Sequence, residues 1–485
     1  IAFPRPRSVT EITRTYLGIV PGIAVIGGGV SGLAAAHLIR QRLGDAFPVV
    51  VFDRSTETGG KVRSRTLSGL TVDTGPDSYL ARAPELAELI DGLGLREAVV
   101  EPVQSGAYVW SRGRLRPLPA GASFGLPERL WPLLRSGLLS PKGVARAGLD
   151  VILPTTRTGP DPTVAELVQP RFGNQVYARL VEPLLGGVHA GDAAELSARS
   201  AVPEVAAMAG AGRSMYLTMR KRRPARGSTP AKRPAPLVSL DGGMSRLTEA
   251  LTAALGEAVR TDTNVRAIAP VSTGGFLVTT DTDTLHADAV VLATPAWATA
   301  DLLAEAKPIA SGLLRQIPYV GVANVTLAFR RSDIADLPGG TGFLVPPTEG
   351  AFIVGCSWLH QKWPHLDQDE LVIIKSMVGR RGDDRWEVMD DDQLTAAIRA
   401  DLARMLSITA DPVDAIVQRW PQALPQYTVG HADRLGAIDE DLADLGAIHL
   451  TGAAYRGVGL AGCVKQAAEV AAQLEQWAPS VRQPS

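Results

Sequence analysis

Six residues, Gly27-Gly28-Gly29-Val30-Ser31-Gly32, limit what this chain can fold into more than any others. They contain G-x-G-x-x-G. Before them lies Ile23-Ala24-Val25-Ile26, an apolar run suited to a buried strand. After them, Leu33 to Arg40 is Ala-rich and helical in pattern. Gly27 permits a tight exit from the strand. Gly29 lets backbone N–H groups approach a diphosphate, and Gly32 lets the helix pack close on the strand. The helix N-terminus, with free N–H groups and the positive end of its dipole, then faces the phosphates, with Gly28, Val30 and Ser31 in the same turn. A second strand-like run, Pro48 to Phe52, ends at Asp53, about 20 residues past Gly32. An acidic residue at that distance accepts hydrogen bonds from an adenosine ribose.

The whole chain narrows the remaining choices. With 485 residues, 45% of them hydrophobic, it can bury a large core and divide into two or three domains. A net charge of −1 gives no global attraction to nucleic acid. Cys356 and Cys463 are too few for a disulfide framework, and the seven histidines contain no H-x-x-x-H pair. A reducing cytoplasm and no metal are therefore expected. No run of about 20 apolar residues predicts a spanning helix. Residues 1–19 lack the apolar centre of a secretion signal and are expected to be an N-terminal extension.

Further motifs extend the glycine fingerprint. After Asp53 and Arg54 comes Gly59-Gly60-Lys61, and a second turn follows at Thr74-Gly75-Pro76-Asp77-Ser78. The set resembles the flavoproteins that include amine oxidases, phytoene desaturases and porphyrinogen oxidases. That resemblance implies FAD. It places Gly60 and Lys61 along the cofactor, and Gly75 to Ser78 at the isoalloxazine ring. Within this group, Leu184-Leu185-Gly186-Gly187-Val188-His189-Ala190-Gly191-Asp192 and the Pro425-Gln426-Tyr427 stretch resemble the porphyrinogen oxidases of heme synthesis. The similarity extends over nearly all of residues 20–478. It implies backbone contact of Val265 with the adenine, and cofactor contacts from Trp420 and from Gly452, Val458, Gly459 and Leu460. Many FAD enzymes carry Gly-Asp where this chain has Gly452-Ala453. The departure suits the porphyrinogen oxidase branch, where backbone contacts replace the acid. Cys463 then reads as a core residue.

The implied fold class is α/β, a two-dinucleotide-binding-domain (Rossmann-like) FAD fold. Residues 20–100, 237–300 and 428–480 would form the FAD domain. Residues 101–125 and 301–427 would form a substrate domain of mixed sheet plus helices. Residues 126–212 would be a helical insert that covers the cavity or rests on a membrane surface. Residues 213–236, with Arg220-Lys221-Arg222-Arg223, are expected to be a mobile basic loop. Val164 to Leu180 is expected to be one helix, and Val259 to Ile268 one strand.

The resemblance implies oxidation of coproporphyrinogen III to coproporphyrin III, with dioxygen as acceptor and hydrogen peroxide as product. Protoporphyrinogen IX is the alternative substrate. Arg82 and Lys61 are candidates for the propionates, though either could serve the surface or the cofactor instead. No dedicated His or carboxylate base stands out. A ferrochelatase could dock on the basic loop. Other readings are an amine or carotenoid-type oxidase and a flavin-binding scaffold without catalysis.

Overall fold

The computed structural model describes residues 22–119, 122–153, 158–221 and 237–481. The expected N-terminal extension lies outside the described residues.

The opening strand Ile23–Ile26 is buried at every position. It sits inside a five-stranded parallel sheet whose order is Val259–Arg260, Val49–Phe52, Ile23–Ile26, Ala289–Leu292, Ile448–Leu450. The run is apolar throughout because both faces are covered. On one face, the first helix Val30–Leu43 packs with the closing helix Leu460–Val481. Ala34, Ala35 and Ala36 meet Val464, Ala467 and Ala471 there, all buried. Small side chains let the two helices approach closely. On the other face, Ala24, Ile26, Val290 and Leu292 pack against Phe276, Leu303 and Tyr455. The neighbours of the opening strand run off to opposite sides, which opens a crevice beyond its carboxyl end.

A second sheet has seven strands. Asp414–Pro425 is at one edge, followed by Tyr319–Arg330, Leu371–Val378, Ile353–Trp358, Gly342–Leu344, Tyr108–Trp110 and Leu115–Pro117. The last two strands form a hairpin. Arg112 (φ 53°) and Gly113 (φ 74°) turn it, as a primed turn requires. Pro421 and Pro425 lie within the strand Asp414–Pro425. The sheet edge accommodates both prolines, with a register shift opposite Val320 and Val322. Helix Asp391–Leu406 covers one face, and its ends follow from the sequence: Asp390 caps Gln393 N–H and Gln393 returns the bond.

The helical insert has its own core around Leu133, Val168, Phe172, Leu180 and Met215. Three expectations change here and nearby. Val164 to Leu180 is not one helix. It stops at Phe172, turns at Gly173 (φ 85°), and resumes through a π-turn at Tyr177–Val181. Val259 to Ile268 is not one strand. Val259–Arg260 joins the parallel sheet, the chain turns at Asp262 (φ 49°), and Val265–Pro270 starts a separate antiparallel sheet. The basic segment is not a loop from residue 213. Met215–Lys221 is a helix, while residues 222–236 lie outside the described residues.

Asp150 fastens that helix to the insert. Its carboxylate is fully buried, accepting Ser214 Oγ–H (2.6 Å) and Tyr216 N–H (2.9 Å), with Arg171 at 3.5 Å. Asp150→Ala would leave the Arg171 guanidinium buried without its partner, a loss of about 3–5 kcal/mol. We expect a lower urea midpoint and earlier proteolysis within the insert; an unchanged midpoint would contradict this role.

Candidate functional site

The crevice is lined by four backbone segments from distant parts of the chain; the second stacks on the first, the third on the second, and the fourth faces the first. In the first, the turn Gly27–Gly32, a Cβ on Gly32 would lie 1.8 Å from Gly27 O, and one on Gly27 (φ 111°) would lie 2.8 Å from Ala293 O. The second is Gly59-Gly60-Lys61. Gly59 N–H donates to Gly28 O at 2.8 Å, and a Cβ on Gly60 would meet Gly29 Cα at 3.3 Å. In the third, Thr74 to Ser78, a Cβ on Gly75 would fall 1.9 Å from Lys61 O. The fourth, Gly452 at the end of the last parallel strand, faces Ser31. The sequence-predicted glycines thus meet in one place.

These residues fit a dinucleotide. The first helix begins at Gly29 with no side-chain cap and no acid in its first turn, so its N–H groups are available. A Cβ on Gly29 would meet no protein atom within 4 Å, although neighbouring glycines are hemmed in. Lys61 points to an anion. Burial pulls its ammonium pKa down, offset in part by the Cys463 thiol, and among the described residues no carboxylate or carbonyl pairs with it. A diphosphate would supply that counter-charge. Asp53 ends the second strand, its carboxylate accepting Gly28 N–H (2.6 Å) and Ser55 N–H (2.7 Å). Those bonds fix it at the crevice rim and leave lone pairs for a ribose. Arg54 is exposed beside it, over the Trp297 ring. Thr263 N–H donates to Asp53 O, so Val265 begins its strand two residues from the crevice.

The closing end is braced by Tyr427. Its hydroxyl donates to Ala453 O (2.7 Å) and accepts Gly457 N–H (2.9 Å), while its ring stacks on His431. His431 Nε2 in turn contacts Tyr455 O (2.9 Å). This network shapes residues 453–459, where a Gly-Asp enzyme would use its acid. Val458, Gly459 and Leu460 then lead into the closing helix, whose first turn carries no acidic residue.

Asp77, within the crevice loop, and Trp420, on the second sheet, join the two. Asp77 pairs with Lys362 Nζ (2.8 Å), which holds its carboxyl well below the usual range despite burial. Trp420 Nε1–H donates to Thr74 O at 3.3 Å. Lys375, which sequence reasoning missed, donates to Asp73 O (2.8 Å) and Gly75 O (2.6 Å). A lysine inside the apolar strand Leu371–Val378 was the available signal. Ser78 Oγ–H donates to Asp77, and Pro76 lies between them and Gly75. Arg82 is exposed on the surface.

The Gly186–Asp192 stretch is a helix end and turn, reversed at Ala190 (φ 49°). Gln426 is buried against it, donating to His189 O at 2.8 Å, and Ser197 N–H donates to Tyr427 O. The insert is thereby tied to the tyrosine that braces the crevice. Glu182, on the same helix, is pushed up to about 7 by burial and by Asp192 nearby.

Comparison with known proteins agrees with this geometry. The flavin containing amine oxidoreductase family model matches residues 30–474. The chain is 32% identical over 452 residues to coproporphyrinogen III oxidase of Bacillus subtilis, covering 92% of this chain and 96% of that one. It is 28% identical over 487 residues to the chloroplastic protoporphyrinogen oxidase 1 of Arabidopsis thaliana, covering 95% and 89%. A crystal structure from Exiguobacterium sp. 255-15, provisionally assigned as a protoporphyrinogen oxidase, superposes with a TM-score of 0.84 at 31% identity, covering 94% and 99%. Among the described residues, no helix is long and apolar enough to cross a membrane, and no cluster of His, Cys, Asp and Glu could hold a metal.

Two outcomes follow from this geometry. Gly29→Ala should leave the apoprotein's stability within about 0.5 kcal/mol, because its Cβ meets no protein atom. Flavin affinity should fall roughly tenfold to hundredfold, the equivalent of about 1–3 kcal/mol of overpacking; fluorescence titration with the flavin checks this. Glu182→Gln removes a carboxyl whose folded pKa of about 7 exceeds its ordinary 4.5. A raised acid favours folding at low pH and loses that contribution as pH climbs to about 7. The variant should therefore gain on the parent between about pH 4.5 and 7, by on the order of 3 kcal/mol, with a flat difference above that. Denaturant titrations across pH would show it.

Proposed function

The chain belongs to the flavin-containing amine oxidoreductases, and within that family we propose that it is an FAD-dependent coproporphyrinogen III oxidase using dioxygen. The observation that carries this reading is the Gly186–Asp192 turn. It ties the helical insert through Gln426 to Tyr427, beside the flavin crevice. That stretch carries the porphyrinogen oxidase resemblance, and the B. subtilis relative of that name spans nearly the whole chain. The distinction between FAD and a shorter flavin rests on the glycine turn and on Asp53 at its rim, which suit an adenosine diphosphate moiety.

FAD, when bound, would supply two-electron redox chemistry, three rounds per porphyrinogen, with dioxygen as the final acceptor and hydrogen peroxide as product. The chain's own residues do the rest. Gly27 to Gly32 would cradle the diphosphate, with Lys61 as counter-charge. Gly60 would lie flat along the cofactor, and Val265 would present backbone to the adenine. Gly75 to Ser78 on one side and Gly452 to Leu460 on the other would orient the ring. The N-terminus of the closing helix, free of acids, favours the electron-rich reduced state. The substrate would lie between this lobe, the second sheet and the insert.

Protoporphyrinogen IX is the second reading, favoured by the plant relative. Anaerobic mixing of holoprotein with each porphyrinogen, followed by porphyrin fluorescence on admitting air, separates them. We expect both to bleach the flavin, with coproporphyrinogen III preferred roughly tenfold or more in kcat/KM. The opposite preference would assign protoporphyrinogen, and no bleaching by either would end the porphyrinogen reading.

A further inference from the structure

We propose that Lys375 is a positioning residue: together with Asn324 and Trp420, it aims the Gly75 N–H into the crevice as a fixed donor toward the flavin ring. This rests on the flavin reading above.

Three consecutive carbonyls, of Asp73, Thr74 and Gly75, are all gripped from the second sheet. Lys375 Nζ, on Leu371–Val378, donates to Asp73 O at 2.8 Å and to Gly75 O at 2.6 Å. Asn324 Nδ2, on Tyr319–Arg330, donates to Thr74 O at 2.8 Å, and Trp420 Nε1 donates to the same oxygen at 3.3 Å. An extended chain alternates its carbonyls from side to side, so three grips from one side fix an unusual course. In a trans peptide the carbonyl and the following N–H point in opposite directions. With Thr74 O held toward the sheet, the Gly75 N–H points away from it.

That N–H is also the donor left over. Thr74 N–H is taken by Arg63 O at 2.9 Å, Pro76 has no N–H, and among the described residues no acceptor takes the Gly75 N–H. Thr74 is buried, whereas Gly75 is partly open. Its position against Lys61 O puts it in the stack that lines the crevice.

One lysine Nζ spans two carbonyls; burial pulls its pKa down, opposed by Asp77 and Asp73 close by. Asp77 is itself held by Lys362. Asp73 is pushed up to about 6 by burial, and accepts Ser64 Oγ–H and Met244 N–H. A preorganised donor backed by positive charge favours the electron-richer reduced flavin.

The test uses holoprotein, reduced by dithionite against reference dyes and titrated with sulfite, so no porphyrinogen is needed. Lys375→Met should lower the equilibrium constant for two-electron reduction about tenfold, or 29.6 mV, and weaken sulfite addition by a similar factor. Asn324→Ala, which leaves every charge in place, should shift both in the same direction. Lys375→Arg should restore part of the loss. If the parent binds flavin while Asn324→Ala and Lys375→Met both stay within twofold of it, the inference fails and the flavin reading stands. If only Lys375→Met shifts, charge alone acts and the aiming role is overturned. Should Lys375→Met not fold, Asn324→Ala decides. A parent that binds no flavin overturns both.

Discussion

The contact on which the rest depends is between Gly32 and Gly27. A side chain on Gly32 would lie 1.8 Å from the Gly27 carbonyl, so the first helix can sit on its strand only if that residue has none. This seating brings Gly28 N–H within 2.6 Å of Asp53, and Gly28 O within 2.8 Å of Gly59 N–H. Gly60 then rests on Gly29, and Gly75 rests on Lys61 O. The crevice wall is therefore backbone stacked on backbone. Rigidity there comes from the absence of side chains, which elsewhere is a source of freedom.

This stack explains what could be read from the sequence. Turn chemistry is local, so Gly27 to Gly32, Asp53 and Gly59-Gly60-Lys61 could be placed from spacing and composition. The same holds for the helix Asp391–Leu406, whose cap residues mark both its start and its reciprocal bond. The hairpin at Arg112-Gly113 announced itself by a turn between alternating runs.

What escaped were features decided by partners far away in sequence. Asp414–Pro425 is a strand only because the sheet ends there and needs no N–H from Pro421 or Pro425. Val259–Arg260 separates from Val265–Pro270 because two different sheets claim them. Gly173 breaks the helix after Val164 so that Gln175 can accept Ser140 N–H and the π-turn can follow. Lys375 reads as a flaw in an apolar strand until the Thr74 loop is placed beside it. Local pattern carries no information about any of these.

The junction between the two sheets is polar where it meets the crevice. Lys375, Asn324 and Trp420 reach from the second sheet, and Lys362 from the short helix Leu359–Lys362 that follows one of its strands, to one loop of the first lobe. Apolar faces would tolerate a slip of the second sheet by part of a residue, because dispersion and burial are indifferent to direction. Hydrogen bonds to three successive carbonyls are not indifferent, since any slip leaves buried donors unpaired at about 1–3 kcal/mol each. On the far side, Gln426 and Tyr427 apply the same logic to the insert and the closing helix. The loop beside the ring and the turn before the closing helix are thus positioned by elements that would also enclose the substrate. A displacement of either enclosing element therefore strains directional bonds beside the crevice.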